Sequence, residues 1–91
     1  MEYVSVNVYG HVQGVGFRYF TQRTAVEYNI TGWVKNEDDG SVRMEAFGKA
    51  EDLSLFLDLI KKGPSRFVKV HGMDVTNLAG NPQFKTFKIK Y

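Results

Sequence analysis

Val4-Ser5-Val6-Asn7-Val8-Tyr9-Gly10-His11-Val12-Gln13-Gly14-Val15-Gly16-Phe17-Arg18-Tyr19-Phe20 changes its hydrophobic period midway, and that change decides the fold. Val4, Val6 and Val8 alternate with Ser5, Asn7 and Tyr9, the period of a strand with one face on a core. From Phe17 the period is helical: Phe17, Phe20, Thr24 and Tyr28 recur on one side, with Ala25 beside them and Arg18, Gln22 and Glu27 around the other faces. A strand therefore runs through a glycine-rich loop directly into a helix.

Outward from this unit, Thr31 to Lys35 returns to strand character and Glu37-Asp38-Asp39-Gly40 reads as a hairpin connection. Val42, Met44 and Ala46 then alternate with Arg43, Glu45 and Phe47 until Gly48 ends the strand. Leu53, Phe56, Leu57 and Ile60 form an apolar helical stripe. Lys61-Lys62-Gly63-Pro64 closes it with positive charge at the C-terminal end of the dipole, a glycine cap and a residue that cannot continue a helix. Val68, Val70 and Met73 mark a fourth strand, and Phe84, Phe87 and Ile89 a short last one after the Gly80-Asn81-Pro82 turn. The order βαββαβ with a small terminal strand predicts an α+β ferredoxin-like sandwich, an antiparallel sheet with two helices packed on one face. No linker, repeat or low-complexity stretch divides residues 1–91, which read as one domain.

Composition narrows the function classes. The chain is 43% hydrophobic and 24% charged, ordinary for a globular domain. Its formal net charge of +2 comes from basic residues spread along the chain, so no nucleic-acid partner is expected. The absence of cysteine excludes disulfides, thiolate nucleophiles and cysteine-bound metals. The alternating start is unlike a signal peptide and no stretch approaches the roughly 20 apolar residues that span a bilayer. A cytoplasmic protein with no membrane partner is expected.

The loop between the first strand and helix has the makings of an anion trap. Gly10, Gly14 and Gly16 allow the backbone to turn N–H groups inward, the helix start leaves N–H groups without partners, and Arg18 adds a fork of donors suited to phosphate. The loop lacks the Gly-Lys-Ser/Thr ending of a nucleoside-triphosphate loop and the Gly-x-Gly-x-x-Gly spacing of a dinucleotide site. A tight strand-to-helix connection would need glycines equally. In a first helical turn the dipole disfavours the charge of Arg18, which a bound anion would offset; the alternative is a surface arginine lying over Phe17 or paired with Glu27. Asn36 can both donate to and accept from one water, yet it also stands where turns take asparagine. His11 and His71 have no acid at a spacing that would orient them, and Glu37, Asp38 and Asp39 match no calcium loop and read as solvated turn residues.

These residues carry a resemblance. Gly10-His11-Val12-Gln13-Gly14-Val15-Gly16-Phe17-Arg18 and Gly32-Trp33-Val34-Lys35-Asn36-Glu37-Asp38-Asp39-Gly40-Ser41-Val42 closely resemble the two signature stretches of the acylphosphatases, and Gly63-Pro64-Ser65 is similar to that family as well. The resemblance implies the same sandwich and hydrolysis of acyl phosphates to a carboxylate and inorganic phosphate. It implies that Arg18 binds the phosphate with backbone N–H groups of its loop, Gln13, Gly14, Val15, Gly16 and Phe17 being the candidates, and that Asn36 orients the attacking water. It implies no metal and no other cofactor, a small-molecule acyl phosphate as partner, inorganic phosphate or sulfate as competing anions, and a monomer. Two other classes share the fold: a non-catalytic anion- or RNA-binding module and a small-ligand regulatory domain. The first is disfavoured because Ser41 to Phe47 lacks the aromatic pattern of an RNA-recognition sheet and carries Glu45 in its middle.

Overall fold

The computed structural model describes residues 1–64 and 66–91. Seven elements follow one another: β1 (Glu2–His11), α1 (Phe17–Glu27), β2 (Thr31–Asn36), β3 (Val42–Gly48), α2 (Ala50–Lys62), β4 (Lys69–Leu78) and β5 (Phe87–Lys90). The strands form one sheet in the order β4-β1-β3-β2-β5. The first four pair antiparallel, whereas β5 lies parallel to β2, so the sheet is mixed. This is the α+β sandwich that the periodicity predicts. The parallel pair arises because the chain leaves β4 at one edge of the sheet and returns to the other edge, where the outer side of β2 is free.

Register turns the alternation of each strand into one apolar face. Val4 pairs with Ala46, Val6 with Met44 and Val8 with Val42, and Val34 also opposes Met44, all of them buried. Phe17 and Ala25 of α1 and Leu53, Phe56 and Ile60 of α2 close over this face. Phe56 is wholly buried and meets the Phe87 ring at 6.1 Å; removing such a ring to alanine costs about 3–5 kcal/mol. Two threonines of α1, Thr21 and Thr24, join the core. Thr21 is fully buried because its hydroxyl donates to the Phe17 carbonyl at 2.9 Å, leaving no unpaired polar atom.

The two edge strands differ from the hydrophobic reading. β4 runs to Leu78 through exposed Asp74, Val75, Thr76 and Asn77, since backbone pairing with β1 holds it and no apolar alternation is required. Phe84 precedes β5 and packs edge-on against Tyr3 at 6.0 Å on the helix-free face. In the Gly63-Pro64-Ser65 segment, Gly63 closes α2 by donating its N–H to the Leu59 carbonyl at 3.0 Å, while Ser65 lies outside the described residues. Among the described residues no helix is long and apolar enough to cross a membrane.

Candidate active site

The two helices treat their dipoles oppositely. α2 carries Glu51 and Asp52 in its first turn and Lys61 and Lys62 in its last, each charge stabilised by the pole it faces. α1 has no acid in its first turn, no base in its last and no side-chain cap, and places Arg18 at its positive end. Its cap is Gly16, in the left-handed region at φ 78°, which directs the following peptide groups into the helix without the penalty a Cβ would bring. The first-turn N–H groups have no partner within the helix.

Those groups border a cavity of about 180 Å³ whose lining includes Gly14, Gly16, Phe17, Arg18 and Asn36. The fold brings the end of β2 against the start of α1 because Asn36 has the parity of Val34, whose face is covered by the helices. Asn36 pairs with Val42 in the sheet, and its Oδ1 is buried without any hydrogen-bond partner. A buried acceptor left unpaired costs about 1–3 kcal/mol. Asn36 lines the cavity together with Arg18, which puts a carboxamide with unused hydrogen-bonding capacity beside a guanidinium.

Arg18 follows neither of the two courses open from sequence alone for a surface arginine. Its Nη1 donates to the Lys90 carbonyl at 3.0 Å and its guanidinium stands 4.7 Å from the Tyr91 ring centroid. Among the described residues that line the cavity Arg18 has the one charged side chain, and most of its fork of five donors is left unengaged. Arg23, outside the site, lies over Tyr19 at 5.6 Å.

Gln13 ties the two motifs together. Its carboxamide nitrogen donates to the carbonyls of Glu37 and Ser41, both at 2.8 Å, joining the loop before α1 to the hairpin that follows Asn36. The hairpin is closed by Glu37 N–H donating to the Ser41 carbonyl at 2.9 Å. Asp39 accepts from both the N–H and the hydroxyl of Ser41, which holds its carboxyl below the usual carboxylate value. Neither Gln13 nor Val15 lines the cavity; Val15 is half-buried against the core. Phe17 contributes its backbone position, since its ring is buried in the core. His11 and His71 lie on the paired strands β1 and β4, but both are exposed and neither lines the cavity. Among the described residues no group of three or more His, Asp or Glu side chains is arranged to hold a metal.

The sequence reading missed Ile89 and Tyr91 as cavity residues and the Lys90 carbonyl as the support of Arg18. No local signal identifies them. Only the parallel docking of β5 beside β2 carries the chain end to the start of α1.

A family model described as Acylphosphatase matches residues 4–89. The chain is 50% identical over 91 residues to an acylphosphatase of Oceanobacillus iheyensis, covering 100% of both chains. It is also 50% identical to an acylphosphatase of Geobacillus thermodenitrificans, covering 100% of this chain and 96% of that one. Among solved structures it is similar to the crystal structure of acylphosphatase from Bacillus subtilis, with a TM-score of 0.95, 42% identity and 100% of each chain covered.

Proposed function

The chain belongs to the acylphosphatase family, and from that premise we propose that it hydrolyses the carboxyl–phosphate bond of acyl phosphates without a metal ion, Arg18 holding the phosphoryl group and Asn36 the attacking water. Acyl phosphate hydrolysis is the activity of the family. The residue roles rest on one observation above the others: Asn36, whose buried Oδ1 has no hydrogen-bond partner, lines the same cavity as the open fork of Arg18.

In this mechanism the turn from Gln13 to Arg18, of which Gly14, Gly16, Phe17 and Arg18 line the cavity, turns its N–H groups with the Arg18 guanidinium toward the equatorial phosphoryl oxygens. Asn36 holds a water through its carboxamide and sets the water oxygen in line with the scissile P–O bond. Attack forms the new P–O bond as the old one breaks, the bonding pair leaves with the carboxylate oxygen, and the water's proton passes to solvent or product phosphate. A carboxylate whose conjugate acid has a pKa of about 4–5 leaves without protonation near neutral pH, so the site needs no general acid. Charge spread over the equatorial oxygens is met by donors already in place, and positioning with charge stabilisation supplies the catalysis.

Inorganic phosphate and sulfate act as weak competing anions in this scheme, and the chain, as one domain of residues 1–91, works as a cytoplasmic monomer. The deciding experiment measures phosphate release from acetyl phosphate in excess EDTA for the parent chain, Arg18→Lys and Asn36→Ala, with folding checked by circular dichroism. Full parent turnover with EDTA, lost in both folded variants, is the expected result. Turnover abolished by EDTA would remove metal independence, and near-parent turnover in Arg18→Lys would remove the bidentate role of Arg18.

A further inference from the structure

We propose that the groove beside Trp33, on the sheet face away from the helices, is a second ligand site that takes one aromatic ring carrying a phosphate, a ligand of the nucleoside monophosphate class. The groove encloses about 400 Å³, and its lining includes Trp33, Phe84, Lys85, Lys88 and Lys90 with no acidic residue. It shares no residue with the Arg18 cavity. β5 separates the two sites by its alternation: Ile89 faces the cavity, while Lys88 and Lys90 face the groove.

Charge sets the first half of the specificity. Trp33 pairs with Lys88 and Lys35 with Lys90 across the parallel strands, so Lys88 and Lys90 stand on one face, with Lys85 beside them in the groove. Lys90 also lies directly across from Lys35, and like charges so placed repel. Among the described residues Lys85 and Lys88 have no ion-pair partner. The Lys90 ammonium rests 4.3 Å from the centroid of the Trp33 ring. A phosphate here relieves the repulsion, and the Lys90 ammonium moves from the indole face to it, exchanging a weak exposed contact for a charge-assisted one.

The aromatic residues set the second half. The Tyr3 ring is engaged edge-on by Phe47 at 6.4 Å and by Phe84 at 6.0 Å, so these three make a cluster among themselves. Of the two rings that line the groove, Phe84 is held edge-on to Tyr3, and Trp33 is the one whose face carries a lysine ammonium. A polynucleotide track uses successive platforms for successive bases. One indole bordered by three lysines instead fits a single base and its phosphate.

Trp33 is the only tryptophan of the chain, so its emission reports the groove directly. The test titrates adenosine monophosphate into the parent, Arg18→Ala and the double variant Lys85→Ala/Lys88→Ala, reading Trp33 emission and heat of binding. Saturable binding is expected in the parent and in Arg18→Ala. The lysine variant should bind at least about tenfold more weakly, with acyl phosphate turnover and melting temperature unchanged. Adenosine and inorganic phosphate, each offering half of the ligand, should also bind at least about tenfold more weakly. The proposal is overturned by absence of saturable binding, or by binding lost in Arg18→Ala and kept in the lysine variant, which places the nucleotide in the cavity. It is overturned equally by inorganic phosphate binding Arg18→Ala as tightly as the nucleotide does. Tighter binding of a thymidine oligonucleotide, with a salt slope of several counterions, would make the face a polynucleotide surface instead.

Discussion

Arg18 donates a hydrogen bond of 3.0 Å to the carbonyl of Lys90, a residue 72 positions away along the chain. The last strand thereby holds an arginine of the first helix at the mouth of the cavity, and the Tyr91 ring beyond it covers the guanidinium face. Neither contact uses the whole fork, so the arginine is fixed in place while most of its donors stay open.

Removing the ring tests that support. Tyr91→Ala should lower kcat/KM for an acyl phosphate about two- to fivefold, the equivalent of the roughly 0.5–1 kcal/mol of an exposed cation–π contact. Tyr91→Phe should restore it, because the ring face and not the hydroxyl lies against the guanidinium. Steady-state kinetics of the two variants decide the point, and equal loss in both would transfer the effect to the hydroxyl.

Asn36 should separate activity from stability. Asn36→Ala is expected to lose about 10²–10³ in turnover, as removal of a positioned polar group does. Its melting temperature should hold or rise, because the substitution removes a buried acceptor that has no partner. A variant with parent turnover and a lowered melting temperature would make Asn36 a structural residue.

Two glycines should respond differently to a single methyl group. A Cβ at Gly16 meets nothing within 4 Å, so Gly16→Ala should cost about 1–2 kcal/mol for its left-handed conformation and leave the sheet intact. At Gly32 a Cβ would overlap the backbone carbonyl of Glu45 on the neighbouring strand. Gly32→Ala adds that overlap to a positive φ and should lose more than about 3 kcal/mol in urea unfolding. Equal unfolding midpoints for the two variants would contradict this account.

The hairpin after Asn36 should weaken in acid. The Asp39 carboxyl is held below its ordinary value first by the Ser41 hydroxyl and then by the Ser41 N–H. A depressed carboxyl stabilises the fold fully above its unfolded pKa of about 3.9, and the contribution is lost as pH falls through the lower folded value. NMR titration of the Asp39 carboxyl should show it moving up toward the ordinary value in Ser41→Ala. An unchanged titration would assign the depression elsewhere.

Most of the fold was legible because each element carries its own period. Val4, Val6 and Val8, then Val42, Met44 and Ala46, announce strands without reference to anything distant. Lys61 to Pro64 likewise mark the end of α2. The edge of β4 was not legible, since Asp74 to Asn77 are held by backbone pairing, which leaves no mark on side-chain polarity. Thr21 was hidden for a related reason: its hydroxyl is satisfied within its own helix, so a polar residue enters the core.

The sequence by itself determined the order of strands and helices, the helix start that carries Arg18 against its dipole, and the two motifs that resemble one family. Those features are local, set by neighbours a few residues away. Only the tertiary structure decided that Arg18 and Asn36 share one cavity, that Gln13 ties their two loops together, and that Lys90 and Tyr91 hold the arginine. Each of these depends on the packing of α1 over the sheet or on β5 lying parallel beside β2. Such long-range contacts follow from the burial of whole faces, a collective property that no stretch of sequence displays alone.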